Sequence, residues 1–138
     1  MAQNNIHINT TVHAPVQVVW HHWTSPEHIT HWNFATPHWH CPHAENDLRP
    51  GGKYKARMEA KDGTFGFDFE AVYTKVVPEK ELAYTIADGR SVITYFEAQG
   101  DSTHMSTTFE PENKNDPELQ RTGWQCILDN FKKYVEAA

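Results

Sequence analysis

Long apolar runs are missing from this 138-residue chain. Nothing approaches the roughly 18 uncharged apolar residues that cross a bilayer, so no spanning helix is expected. Basic residues are sparse and scattered: the 12 Lys and Arg adjoin only at Lys132-Lys133, against 18 Asp and Glu. With a formal charge of −6 and no basic patch to meet phosphates, nucleic acid is excluded as an expected partner. Cysteine is scarce as well. Cys41 and Cys126 are isolated thiols, and Met1-Ala2-Gln3-Asn4-Asn5 has no basic flank followed by an apolar signal segment, so a reducing cytoplasmic location is expected. Internal repeats and low-complexity stretches are absent, which limits linkers to turns.

What the chain does have is aromatic area: five Trp, five Tyr and seven Phe. These residues supply large buried surface, and they also line pockets, so composition alone does not separate packing from binding. A chain of this length buries roughly two-thirds of its unfolded surface around one core. One domain over residues 1–138 is therefore expected, because two halves would each fall near the size that needs staples. Ten histidines move the net charge toward zero as pH falls through about 6.5, where solubility becomes delicate.

Alternation of Ile6, Ile8, Thr10 and Val12 with polar neighbours predicts a first strand. After Ala14-Pro15, the helical spacing of Val16, Val19, Trp20 and Trp23 predicts a helix. A second short one starts at Ser25-Pro26-Glu27, with Ser25 as the cap and Ile29 and Trp32 as its apolar residues. Residues 33–50, with three prolines and little periodicity, are read as loop. Pro50-Gly51-Gly52 then turns the chain into a hairpin. Tyr54, Ala56, Met58 and Ala60 share one face, and Phe65, Phe67, Phe69, Ala71 and Tyr73 line the returning strand after Asp62-Gly63. Further strands fit Leu82-Tyr84-Ile86, Val92-Thr94-Phe96 and Thr103 to Phe109. A last helix, capped by Asn115 or Asp116, carries Leu119, Trp124, Ile127, Leu128, Phe131 and Val135 as its apolar stripe. The pattern is an α+β domain: a curved antiparallel sheet with two short helices and one long C-terminal helix.

That order resembles the helix-grip fold of the START-like superfamily. Ala14-Pro15 with Val19-Trp20, then Trp23-Thr24-Ser25-Pro26-Glu27 and Trp32, is similar to that superfamily's opening. The run Asp47 to Lys53, then Asp62-Gly63, Gly123-Trp124-Gln125 and Leu128-Asp129-Asn130-Phe131, resembles the branch named for the activator of heat-shock protein 90 ATPase. The resemblance covers nearly the whole chain and rests on the order and spacing of its motifs together. It implies a cavity between sheet and long helix, in a superfamily whose members bind lipids, sterols, polyketides or other apolar molecules, a few of them being cyclases. The branch's chaperone activator carries another domain absent here, so its partner contacts do not transfer by name.

The expected ligand-binding residues are Trp32, Trp39, Met58, Phe67, Phe69, Tyr73, Tyr95, Trp124, Ile127 and Phe131. An aromatic inner face must be opposed by something apolar; either the final helix touches it or the two enclose space. Gly123, inside that helix, costs roughly 1 kcal/mol relative to alanine, which predicts close approach there, of helix to sheet in the first instance and of helix to ligand as the alternative. His38, His40, Cys41 and His43 hold metal donors within a short loop, yet their spacing matches no standard zinc template, and no metal or cofactor is expected. A Cys41 nucleophile with an adjacent His lacks the geometry that catalysis needs. Polar groups that could orient a ligand include Asp47, Arg49, Arg57, Asp68, Glu70, Tyr95 and His104; Arg57, Asp68 and Glu70 alternate away from the aromatic face, and Arg49 with Asp47 reads as a structural ion pair.

Three functions follow as alternatives. The leading one is binding of a small hydrophobic ligand, lipid, aromatic or polyketide-like. A cyclase- or hydrolase-type enzyme would need a tyrosine, histidine or carboxylate with a shifted pKa inside the pocket, and burial of Tyr73, Tyr95 or His104 there would favour it. A protein-interaction module, with a chaperone as partner, needs an exposed patch on the outer sheet face. A homodimer is an open alternative for assembly.

Overall fold

The computed structural model describes residues 5–137. Met1 to Asn4, part of the segment read for an export signal, and Ala138 lie outside the described residues. The chain runs β1 (Ile6–Val12), α1 (Val16–Thr24), α2 (Pro26–Trp32), β2 (Trp39–Asn46), β3 (Lys53–Ala60), β4 (Gly66–Val77), β5 (Glu81–Ile86), β6 (Ser91–Gln99), β7 (Ser102–Phe109) and α3 (Pro117–Ala137). All strands join one antiparallel sheet in the order β1-β7-β6-β5-β4-β3-β2. From β2 to β7 it is a meander, as the short turns require; only β1 is displaced, and α1 and α2 carry the chain from one sheet edge to the other. No helix among the described residues is long and apolar enough to cross a membrane.

β2 corrects the expectation that residues 33–50 are loop. Its alternation is hidden by a bulge between His40 and His43, where the register with β3 shifts. Trp39 before the bulge and Cys41 within it turn inward, and Ala44 does so after it, so the apolar positions change from odd to even numbers. Pro42 stands inside the bulge on an edge strand, where the missing N–H leaves no ladder bond broken.

Turn chemistry sets the hairpins. Thr64 donates its backbone N–H and its hydroxyl to Asp62 Oδ1 at 2.9 and 2.6 Å, closing the β3–β4 turn around Gly63. Gly52 is required by space: a Cβ there would sit 2.0 Å from the Asp47 carbonyl oxygen. Ser25 occupies the predicted cap of α2 without capping it; its Oγ faces His21 Nδ1 at 3.2 Å, while Pro26 fills the first helical position as read. Asp116 does cap α3, accepting the Glu118 N–H at 2.8 Å.

With its 21 residues, α3 spans about 31 Å and lies against β1 and both short helices. Leu128, Phe131 and Val135 are buried beneath it, with Trp124 and Ile127 half-buried. Leu119 was placed on this stripe and is 64% exposed; Gln120, one position on, takes the inward place and bonds the carbonyls of Glu112 and Asn115. A second correction concerns Gly123. A Cβ there meets nothing within 4 Å, so close approach of helix and sheet is not its reason.

Phe131→Ala is expected to destabilise the fold by about 3–5 kcal/mol, because a fully buried ring is replaced by a void. Gly123→Ala should do the reverse, raising stability by about 0.5–1 kcal/mol through helix propensity. Both are read by urea unfolding monitored by circular dichroism; a loss from Gly123→Ala would restore the close-approach explanation.

Candidate functional site

Two aromatic contacts hold α3 above the sheet. Trp124 stacks on Phe109 of β7, centroids 4.0 Å apart and planes at 13°. Further along, Phe131 meets Trp23 and Trp32 edge-on, each at 4.9 Å, while those two rings stack on one another at 4.6 Å. Polar bonds secure the same junction. Asn130 donates to the Trp32 carbonyl at 2.8 Å, and the Trp32 indole N–H donates to the His22 carbonyl at 3.0 Å.

Between these supports the helix stands off the sheet and encloses a partly open cavity of about 190 Å³. Trp23 and Trp32 close one side, and Met58, Phe67, Phe69, Tyr54 and Tyr84 form the sheet wall. Ile8, Thr94 and Thr107 lie deeper, and Trp124, Ile127 and Leu128 are the roof. The lining is chiefly apolar and includes no His, Cys, Asp or Glu, so the cavity offers no metal-binding set. Four of its polar side chains are paired: Asn33 Nδ2 donates to the Tyr54 hydroxyl at 3.1 Å, and the Thr94 and Thr107 hydroxyls bond at 2.8 Å. Tyr54 thereby accepts one bond and keeps its own O–H.

Of the residues predicted from sequence, Trp32, Met58, Phe67, Phe69, Trp124 and Ile127 are brought together around this space. Trp39 is not; it packs edge-on to Phe65 and Phe67 near the hairpin end. Phe65 itself, assigned to the inner face, precedes β4 and is 62% exposed. Tyr73 is buried on the inward face but stands behind the lining, edge-on to Tyr54 and Tyr84 and donating to Asn46 Oδ1 at 2.8 Å. Tyr95 is 45% exposed on the other side of β6, because alternation sends Thr94 and Phe96 inward. Phe131 lies behind the cavity wall, against the two tryptophans. Sequence reasoning missed Tyr54, Tyr84, Asn33 and the paired threonines. The tyrosines were legible as inward positions of β3 and β5; Asn33, just beyond α2, carries no periodic signal.

The enzyme candidates are dispersed in the same way. His104 sits on the outer side of β7 beside the Thr11 hydroxyl at 3.1 Å, on the same outer face as Tyr95 and outside the cavity. Cys41 donates its S–H to the His43 carbonyl at 3.5 Å, and burial pushes the thiol up, the opposite of an activated nucleophile. His40 and His43 face Glu59 and Glu45, at 3.5 and 3.8 Å, so the His38 to His43 group does not converge. Arg57 bonds Glu59 at 2.9 Å on the exposed face, and Asp47 with Arg49 is an exposed pair.

Burial raises Tyr54, Tyr73 and Tyr84 above the ordinary phenol range, with mutual repulsion among the rings adding to Tyr54 and Tyr73. Tyr84 keeps some surface open to the cavity, yet its hydroxyl lies deep enough to lose most hydration. Around neutral pH these groups are phenols, fit to donate hydrogen bonds and not to abstract protons.

The long helix gripped by a curved sheet, with a cavity between them, is the START-like helix-grip architecture. Residues 13–136 match the family described as activator of Hsp90 ATPase homolog 1-like protein, and the chain belongs to that family. The solution structure of an AHSA1-like protein from Aeromonas hydrophila is 39% identical, with a TM-score of 0.92, covering 97% of this chain and 93% of that one. Chr148 from Cytophaga hutchinsonii is 45% identical with a TM-score of 0.83, covering 96% and 92%. The Aha1 dimer from Colwellia psychrerythraea, 16% identical with a TM-score of 0.76 and 97% coverage of both chains, shares the fold. No curated protein matches the chain.

The raised phenol pKa values stabilise the folded state fully below about pH 10, and that contribution is lost as pH climbs through the elevated folded values. Unfolding free energy should therefore fall as pH rises from about 10 upward, and fall less in Tyr84→Phe, as measured by guanidinium titration at each pH. Parallel curves for wild type and Tyr84→Phe would contradict the burial of that hydroxyl.

Proposed function

We propose that the chain acts as a single domain in the cytoplasm and binds one small hydrophobic molecule in the cavity beneath α3. The observation that carries this reading is an aromatic-walled space of about 190 Å³ with an unspent phenolic O–H at Tyr54. Size selects among the apolar ligands that the superfamily suggests. A dry apolar cavity of about 150 Å³ accepts benzene, so this one suits a single ring or a short acyl chain and is too small for a sterol without rearrangement. A ligand bearing one carbonyl or ether oxygen gains a partner at Tyr54, and its apolar remainder meets Phe69, Trp124 and Ile127. Placement in the cytoplasm accords with the unpaired state of Cys41 and Cys126.

A second reading, contact with a chaperone, draws on the family's name and on one surface. Phe65 and Phe67, at the β3–β4 hairpin end beside Trp39, are 62% and 43% exposed, an apolar edge of the kind partners cover. A stimulated Hsp90 ATPase rate that Phe65→Ser abolishes would support it; a rate unmoved by the wild-type chain removes it.

Tryptophan fluorescence reports the cavity directly, since Trp23, Trp32 and Trp124 line it. Titration with phenyl ketones and medium-chain acyl esters should give a saturable change. Ile127→Trp, which fills the roof, should weaken binding at least roughly tenfold, about 1.4 kcal/mol, whereas Tyr95→Phe should leave it unchanged. Absence of saturation across both ligand classes, or undiminished binding in Ile127→Trp, defeats the proposal.

A further inference from the structure

The corner between the two short helices carries polar chemistry that the cavity does not use. Ser25 alone separates α1 from α2, which sets the last turn of one helix beside the first turn of the other. Donor atoms of His21, Glu27 and His28 all lie within 4.8 Å of one another, and no other group of His, Cys, Asp or Glu among the described residues gathers three donors so closely. Atoms that near share a point no more than about 2.8 Å from each, against bonds of about 2.0–2.2 Å in zinc sites. His21 and Glu27 are exposed, so small side-chain rotations close the difference.

The hydrogen bonds prepare these rings as ligands. His28 Nδ1 meets the Tyr134 hydroxyl of α3 at 2.7 Å, and His21 Nδ1 faces Ser25 Oγ at 3.2 Å, so each ring has its Nε2 free. Ligating histidines characteristically hold their second nitrogen in such bonds, which fix tautomer and ring orientation. A further imidazole stands beside them: His22, its ring 4.2 Å from that of His28, bonds the Val18 carbonyl through Nδ1 at 2.8 Å. Because a carbonyl only accepts, the Nε2 of His22 keeps its lone pair. Burial and the neighbouring His22 and His21 rings lower the pKa of His28, favouring the neutral form that binds metal.

We propose that His21, Glu27 and His28 bind one borderline divalent first-row cation, with Zn²⁺ the natural probe, on the outer face of the helix pair. Two imidazoles and a carboxylate suit such an ion and leave at least one position for water or for His22. The cation clamps α1 to α2 at the corner whose Trp23 and Trp32 wall the cavity, so it braces that wall from behind without entering the ligand space.

The test uses the full chain without a histidine tag, stripped by chelator and then equilibrated with ZnCl₂ in dialysis. Wild type should bind one ion per chain. His21→Asn and Glu27→Gln, both at exposed positions, should each weaken binding at least roughly tenfold, while the double variant His38→Asn, His40→Asn should match wild type. Zn²⁺ should raise the Tm of wild type and leave that of His21→Asn with Glu27→Gln unmoved, which separates loss of a ligand from loss of fold. No saturable binding by wild type overturns the site, and so does equal affinity in the His21→Asn, Glu27→Gln chain.

Discussion

Everything distinctive about this molecule depends on how α3 is held away from the sheet as much as on how it is held to it. Trp124 on Phe109, and Phe131 edge-on against the stacked pair Trp23 and Trp32, are rigid, flat supports that keep the intervening stretch of helix raised. Smaller aliphatic side chains at those positions would let the helix settle and the interior close. The cavity is thus the space left between two aromatic supports, and its dimensions are set by ring size.

Polarity within that space is arranged with economy. The Thr94–Thr107 and Asn33–Tyr54 bonds satisfy side chains that water would otherwise have to serve, so the walls stay compatible with an apolar occupant. The tyrosines remain protonated because burial penalises the phenolate. Such a lining selects by fit and by one or two hydrogen bonds. Histidines and carboxylates are kept on the outside, where they form exposed pairs or gather at the helix corner.

Much of this was legible from residue order because the strands obey period two and α3 obeys a helical stripe. Met58, Phe67, Phe69, Trp124 and Ile127 face the cavity for the reason the alternation supplied. Failures have local causes. The bulge at His40–His43 reverses inward parity inside β2 and erased its signature, and Leu119 lost its place to a hydrogen-bonded glutamine. Tyr95 was misassigned although its neighbours Thr94 and Phe96 defined the inward face of β6. The approach of His21 to His28 follows from the turn at Ser25 and the docking of Tyr134, a relation between distant parts of the chain that spacing does not encode.

A seven-stranded open sheet has two flanks, and this one treats them differently. β1 lies under α3, whereas β2 is an outer strand whose backbone is interrupted by Pro42 and the bulge. An incoming strand from another copy cannot zip along β2 without breaking register at that point, so fibre-like growth is blocked on this flank, whose outer backbone edge stays unpaired although α2 packs against the strand. The irregularity that hid β2 from view in the sequence is the same one that discourages a molecule with exposed hairpin phenylalanines from polymerising.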